Sequence, residues 1–516
     1  MLPSKNKICC MKFIWKLLFT IVAVVATVSY IACNKDKLNV PPPSPTEASY
    51  FSTEIEFRTG ILGVYAVLSD YFSSSNSAGG SGSAELETFF LPGDDLTGVQ
   101  EEAFETFGNN LNSTQGKLQQ IWGSSYILLN RANKVLNKIE NENGVYTTPN
   151  LKNWNKGEVL FLRGYAHYMV WNIFGTAPLD TSDFSLDQLN PSNTTGTQLL
   201  DQAISDFSAA ADLLPQSWGT DDIGRVTANS AYGMLGKSLV FRATVNKSND
   251  DYQSAITAFN KISGASLTEN YEDNFDVNHE NNSESLFEFQ AGPPIAGSGS
   301  TNSWLANDVV NIGVCSAYWQ CFYNGAGTYQ GGGLYLATDK YKNAFTSNDP
   351  RLPLSINTSD NNITKYVLNG DAMEGVVNSL NNVRILRYAD VLLLKAEATL
   401  QSGGNTADAI DLINQVRTRA RNMVSGGTEP ANFSTAETNK TTIMQWIMDE
   451  RLRELGAEGS RWFDLRRWAL GGIITIDKAF FDSNWPSITW DDHYLNFPIP
   501  STEVDKNPNI VQNTGY

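Results

Sequence analysis

Three stretches with one shared helical signature, long Gly-, Asn- and Ser-rich segments between helices, and aromatic residues gathered in those segments predict a mainly α chain. The expected architecture is a helical-repeat scaffold with long loop-rich insertions and a few short strands. The signature reads DQAISDFSAAADLL around Ala203 and Ile204, YQSAITAFNKIS around Ala255 and Ile256, and ADAIDLINQVRTRA around Ala409 and Ile410. Each puts Ala-Ile and a large apolar residue three positions later on one helix face. Two of them follow a partner helix, SAYGMLGKSLVFRAT and RYADVLLLKAEATLQ, in which Lys237 and Lys395 stand at the same offset from Ala231 and Ala389. Paired helices of this kind are of tetratricopeptide type. Further amphipathic stretches run over 54–68, 117–139, 154–173 and 441–455. Gly164, Ala166, Gly233, Gly236, Ala396 and Ala398 supply the small side chains that let such helices cross closely.

The first 32 residues have another logic. Lys5, Lys7, Lys12 and Lys16 precede an apolar run from Leu17 to Val28, which ends in small residues at Ala32 and Cys33. That is the layout of a secretory signal, and the run is too short to cross a bilayer comfortably. Ile31-Ala32-Cys33 before Asn34-Lys35-Asp36 matches a lipoprotein box, with Tyr30 where the pattern usually has Leu. Cys33 is the expected lipidation site, and attachment of more than one acyl chain is what stable anchoring requires, at about 0.8 kcal/mol per buried CH₂. Pro41, Pro42, Pro43 and Pro45 then make a semi-rigid extended spacer. The expected divisions are a signal at 1–32, the lipidated cysteine and tether at 33–50, and an N-terminal helical part at 51–263 with a ligand loop at 71–112. An aromatic insertion at 264–382 and a C-terminal part at 383–516 complete the chain.

Charge and residue counts remove several functions. The 37 basic and 55 acidic side chains give −18, and a chain from Cys33 onward keeps only 33 of the basic ones, so nucleic acid is not an expected partner. Only His167, His279 and His493 are present, and no G-x-S-x-G elbow occurs. GMLGKS at 233–238 lacks the spacing of a phosphate loop and sits in a repeat helix, where Gly236 and Lys237 are expected to serve packing and surface. The remaining Cys and His do not make a zinc cluster. Asp276, Asn278 and Glu280 begin like a calcium loop without its glycine, so no cofactor is expected beyond a structural calcium ion. Fifty-five acids always allow a carboxylate pair of the kind glycosidases use. A solvated acidic surface accounts for them as well, and the chain is read as a non-enzyme. Cys315 and Cys321 either close a small disulfide loop or remain free thiols.

The informative constellation is aromatic. Trp304, Tyr318, Trp319, Phe322, Tyr323, Tyr329 and Tyr335 lie among Gly, Asn and Gln with neither a helical nor a strand period. Flat rings lie against the C–H faces of sugars or against peptide side chains, while amide and carboxylate neighbours hold hydroxyls. Trp304, Trp319 and Tyr323 are the preferred exposed members. Tyr71 and Phe72, with Phe89, Phe90, Asp94 and Asp95, form a second candidate patch. About half of these rings are expected to pack the loops onto the helices.

Several longer strings carry a resemblance. They are IWGSSYILLNRANKVL (121–136), EVLFLRGYAHYMVWNIFGTAPL (158–179), RILRYADVLLLKAEATL (384–400), DERLRELGAEGSRWFDLRRW (449–468) and FPIPSTEVDKNPNIVQN (497–513). With the lipoprotein box and paired helices, the mature chain resembles the SusD/RagB family of outer-membrane nutrient-binding lipoproteins almost end to end. The resemblance implies a cell-surface lid on a SusC-like TonB-dependent transporter, which captures a glycan and passes it inward uncleaved. It also leaves open a peptide-binding lid, as in the RagB branch, and a tetratricopeptide scaffold that binds proteins is the reading from another class. Glu450, Arg451, Glu454, Arg461, Trp462, Asp464 and Arg467 are expected to form buried or helix-end charge pairs that lock the terminal loop to the scaffold, ahead of contacting ligand.

Overall fold

Several helices of the main body begin at a side-chain cap that the sequence supplies. At α1 (Glu54–Tyr65), Thr53 Oγ1 accepts from Glu56 N at 3.2 Å, and Glu56 returns the bond to Thr53 N at 3.0 Å. The computed structural model describes residues 15–23, 50–72, 84–108, 110–182, 190–292, 322, 334–367, 380–481 and 487–516. It divides into two units, Met1–Ser52 and Thr53–Tyr516. In the first unit residues 15–23 are helical, and among the described residues no helix is long and apolar enough to cross a membrane.

After α1 come α2 (Leu68–Phe72), α3 (Ala84–Phe90), β1 (Leu96–Gly98) and α4 (Ala103–Thr106), so the stretch read as a loop at 71–112 holds short helices and a strand. The predicted long helices follow as α5 (Gly116–Asn141), α6 (Leu151–Phe174) and α7 (Gln198–Leu213), then α8 (Ala228–Asn246) and α9 (Asn249–Phe259). Along α5 the buried positions Leu118, Ile121, Trp122, Leu128, Leu129, Ala132, Val135, Leu136 and Ile139 keep the helical period. Successive helices from α5 to α9 pack on one another. Where α6 crosses α7, a Cβ on Gly164 would stand 3.1 Å from Asp206 Cβ and 3.2 Å from the Ala203 carbonyl, a tighter fit than side chains ordinarily make. At Gly236 of α8 the requirement for glycine is firmer, because a Cβ there would overlap the Phe259 ring.

The 264–382 region supplies β2 (Ser285–Phe289), β3 (Tyr335–Ala337), α10 (Asp339–Ala344) and α11 (Leu352–Ser355). The C-terminal part opens with β4 (Val383–Arg387) and continues through α12 (Tyr388–Gln401), α13 (Thr406–Asn422), α14 (Lys440–Leu455), α15 (Arg461–Leu470) and α16 (Ser501–Lys506). Two antiparallel two-stranded sheets join distant chain segments, β1 with β3 and β2 with β4. The helical repeats are continuous across the insertion, because α9 packs on α12 and α8 on α15.

Lys237 departs from the surface position expected of it. It is buried, and its Nζ meets Asp390 Oδ2 at 2.8 Å. The reason is that α8 is covered by α9, β2, β4 and α15, so its lysine faces the first turn of α12. Asp390 also takes Arg451 at 2.7 Å. Arg451 takes Asp464 at 2.7 Å, and Arg467 links Asp464 at 2.9 Å to Glu397 at 2.6 Å. A second buried network centres on Glu454, which meets Arg351 at 2.9 Å, Arg387 at 3.1 Å and Arg419 at 2.5 Å. The charge pairing expected of Glu450, Arg451, Glu454, Asp464 and Arg467 is therefore present, and Trp462 stacks on Phe497 at 5.8 Å. The tail is held further by Phe497 N on the Ile173 carbonyl (3.0 Å) and Asn513 Nδ2 on the Phe174 carbonyl (2.8 Å).

Burial alone would raise the Glu454 carboxyl, but Arg419, Arg387 and Arg351 outweigh it and bring it down to about 2. Glu450 is brought down to about 2 against burial by Arg351 and Arg417. Both lie below the ordinary value of 4.5, so their stabilisation is complete above that pH and is lost as pH falls towards about 2. Glu454→Ala leaves three buried guanidinium groups short of a partner, with an expected cost of about 3–5 kcal/mol. Thermal unfolding at pH 7 should show a lowered Tm for the variant, and a Tm that falls less steeply than the wild type's between pH 4.5 and 2.

Candidate functional site

The two regions singled out for their aromatic loops meet in the fold. β1 pairs with β3 in the register Leu96 to Ala337, Thr97 to Leu336 and Gly98 to Tyr335, and Val99 N adds a bond to the Leu334 carbonyl at 3.0 Å. Thr338 Oγ1 donates to the Asp94 carbonyl at 2.7 Å. Beneath this junction Phe90 packs edge-on against Phe322 (5.4 Å) and lies 6.0 Å from Tyr335, while Phe322 stacks on Tyr366 at 6.2 Å. The segment leaving β1 and the segment entering β3 are thus fixed side by side.

Six of the ring candidates turn out to be packing residues: Phe89, Phe90 and Tyr335 are buried in the ring contacts around β1 and β3, and so are Tyr71, Phe72 and Phe322. Tyr71 is 0% exposed, donates its hydroxyl to Ser125 Oγ at 2.8 Å and sits edge-on to Tyr165. Phe72, 4% exposed, lies between Phe89 and Phe289. Phe322 is 1% exposed in the cluster just described. Tyr71 and Phe72 are drawn inward because α2 packs on α3, α5 and β2, and Phe322 because it closes the apolar surface of Phe90 and Tyr366. Asp94 and Asp95 are buried as well. Asp94 holds Arg461 at 2.5 Å and Lys340 at 2.7 Å, which together keep its carboxyl well below the usual range despite burial. Asp95 is pushed up to about 6 by burial, although its Oδ2 accepts from Ala457 N at 2.9 Å. Trp304, Tyr318, Trp319, Tyr323 and Tyr329 lie outside the described residues, as do Cys33, Cys315 and Cys321.

Beside the β1·β3 junction is a cleft of about 470 Å³, lined by Asp94, Leu96, Glu105, Asp339, Lys340 and Phe480 among others. A second hollow of about 380 Å³ shares Lys340, Asn343 and Phe480 with it. The Lys340 Nζ lies 3.8 Å from the Phe480 ring centre, so these two side chains form a bar between the compartments. Lys340 and Phe480 escape a reading of the sequence, because the ring stands in the irregular tail, far along the chain from its lysine.

The arrangement offers binding groups more readily than reacting ones. His167 is buried in α6 and pulled down to about 3 by burial and by Arg163. His279 pairs with Asp276 at 2.8 Å and His493 with Asp491 at 2.6 Å, and neither histidine lines the cleft. Asp276 also accepts from Asn278 N at 2.9 Å within its turn, and Glu280 Oε1 accepts from Asn382 N at 2.7 Å, in the segment that enters β4. Among the described residues no group of three or more His, Cys, Asp or Glu is placed to hold a metal ion.

Two family models match this sequence: the SusD family model, SusD_RagB, over residues 318–516, and one described as starch-binding associating with outer membrane over 59–239. The chain belongs to the SusD/RagB family. SusD-like protein P25 of Formosa agariphila is 23% identical over 548 residues, covering 96% of this chain and 99% of the relative. The starch-binding protein SusD of Bacteroides thetaiotaomicron is 31% identical over 140 residues, or 26% of this chain and 22% of that protein. Among solved structures, a SusD homologue from Bacteroides thetaiotaomicron superposes with TM-score 0.73 at 21% identity, covering 91% of this chain and 98% of that one. A surface glycan-binding protein A from the same organism, in complex with laminarihexaose, gives 0.70 at 19% identity, covering 89% and 99%. These superpositions establish the SusD-like fold, mainly α with tetratricopeptide-type repeats.

Phe72→Ala is expected to cost about 3–5 kcal/mol of stability, as loss of a fully packed ring does. Thermal denaturation checks it, and an unchanged Tm would return Phe72 to the set of exposed ligand-contacting rings.

Proposed function

We propose that this SusD/RagB chain is a non-catalytic glycan-binding lipoprotein of the cell surface. It is anchored in the outer membrane through acylated Cys33, and it delivers captured oligosaccharide to a SusC-like TonB-dependent transporter. The observation that carries the reading is the β1·β3 junction, which brings the ends of two aromatic-rich loop segments to one place on a helical scaffold. A loop face on a rigid frame is the usual way a fold presents a binding platform. Support for a glycan as the ligand comes from family membership and from structural neighbours described as a laminarin-binding SusD-like protein and as a glycan-binding protein holding laminarihexaose. Support for export and anchoring comes from the basic, apolar and small-residue succession that ends at Cys33, with the proline spacer behind it. Trp304, Tyr318, Trp319, Tyr323 and Tyr329 are the rings proposed for the platform.

Native gels containing a panel of polysaccharides test this on protein beginning at Asn34, with a peptide mixture titrated by calorimetry beside them. Retardation by at least one polysaccharide is expected. Trp319→Ala should weaken that binding by more than about 1 kcal/mol while leaving Tm nearly unchanged. No retardation, together with heat from the peptides, would move the chain to the peptide-binding branch.

A further inference from the structure

The turn between α7 and α8 builds a second concave site, made from residues that line neither compartment beside β1·β3. It is an open hollow of about 300 Å³ between residues 216–230 and the segments around Gly264 and 281–288. That volume is at the lower end of ligand pockets, about 300–1,000 Å³. Its one aromatic platform is Trp218, which is held by three independent contacts. The indole Nε1 donates to the Val226 carbonyl at 2.8 Å, the Arg225 guanidinium lies 4.7 Å from the ring centre, and Trp154 packs edge-on at 5.6 Å. The ring remains half-buried with part of its surface open, and Ile223 beside it is 52% exposed.

The opposite wall is polar and pre-set. Asn281 of that wall exchanges amide bonds with Gln290 at 2.9 and 3.0 Å, and on the Trp218 side Asn229 of α8 bonds both the N–H and the carbonyl of Ser263. Gly224, at φ +95°, lets the turn pass where a Cβ would stand 2.5 Å from the Gln290 side chain. Exposed Gln216, Ser217 and Ser283 put an amide and two hydroxyls at the rim. The two charged residues of the lining are already neutralised within the protein. Arg225 makes a two-pronged pair with buried Glu158, at 2.7 Å on each arm, and Glu288 faces Arg384 at 3.4 Å.

A rigid indole opposite amides and hydroxyls, with no uncompensated charge, suits a neutral polyhydroxylated ring and suits neither an anion nor a cation. We propose that the Trp218 hollow is a second carbohydrate-binding site, which takes one short stretch of a neutral glycan by stacking on the indole. The proposal rests on the glycan-capture reading above and extends it. Two sites on one chain let a long polysaccharide engage both, so a polymer is retained far more strongly than a short oligosaccharide.

The test is calorimetry on the full chain, purified in a sugar-free detergent, with laminarihexaose, maltohexaose, cellohexaose, xylohexaose and mannohexaose as probes. Trp218→Ala is compared with Ser217→Trp, which fills the mouth without touching the three contacts that hold the indole, so a folding defect in the first variant does not decide the result. Two equivalents bound per wild-type chain and one per variant chain are expected. One equivalent in the wild type, unchanged by either variant, overturns the second site and leaves glycan capture standing. One equivalent lost in both variants keeps the Trp218 site and overturns the loop platform. No heat from any probe overturns both.

Discussion

A carboxylate taken out of water is tolerated only where cations meet it, and Glu454 is met by Arg351, Arg387 and Arg419 together. Those three arginines come from the insertion, from the end of β4 and from α13, so one carboxylate ties three distant stretches of chain to α14. Glu284 takes Arg387 and Arg419 from the other side, and Glu450 takes Arg351 and Arg417. The geometry is over-determined, since a guanidinium fork satisfied on several arms cannot shift without uncovering a charge. This network fixes how the insertion sits on the repeats, and the junction of β1 with β3 inherits that placement.

The division of labour follows. The repeats and their buried ion pairs form a packed frame, and under the proposed function the ligand-contacting residues hang from it on the segments around β1 and β3. Rings at the base of those segments, Phe90, Phe322, Tyr335 and Tyr366, are spent on packing. They form a floor that fixes where the loop segments start and end. Lys340 and Phe480 add a contact from the C-terminal tail, so three parts of the sequence border the same cleft.

Much of this is legible in the sequence. The long helices announce themselves because a 3.6-residue apolar period over two dozen residues, as in α5, fits a helix and does not fit a strand or a loop. The charged string from Glu450 to Arg467 identifies its role because so many alternating charges beside Trp462 and Trp468 cannot all be solvated. The rings are harder. Tyr71, Phe72 and Phe322 have the same flanking composition as an exposed platform, and only the tertiary contacts of Phe72 with Phe89 and Phe289 distinguish a floor from a face. Lys237 reads as a surface residue because helical period locates an apolar stripe but not a second buried face, and Asp390 is 153 positions away. Trp218 reads as part of a connection between repeat helices. Its signal is a solitary indole between Gln216-Ser217 and Gly219-Thr220, which becomes a site only when 281–288 closes the other wall.

Under the proposed function, ligand is captured on the loop segments flanking β1 and β3 while the helical frame stays unchanged. Hydrogen exchange of the chain, with and without a polysaccharide that retards it, tests this most directly. Slowed exchange is expected in peptides covering 73–83 and 293–333, with unchanged exchange in α5, α6, α12 and α13. Slowing confined to the repeat helices, with those loop peptides unaffected, would contradict it.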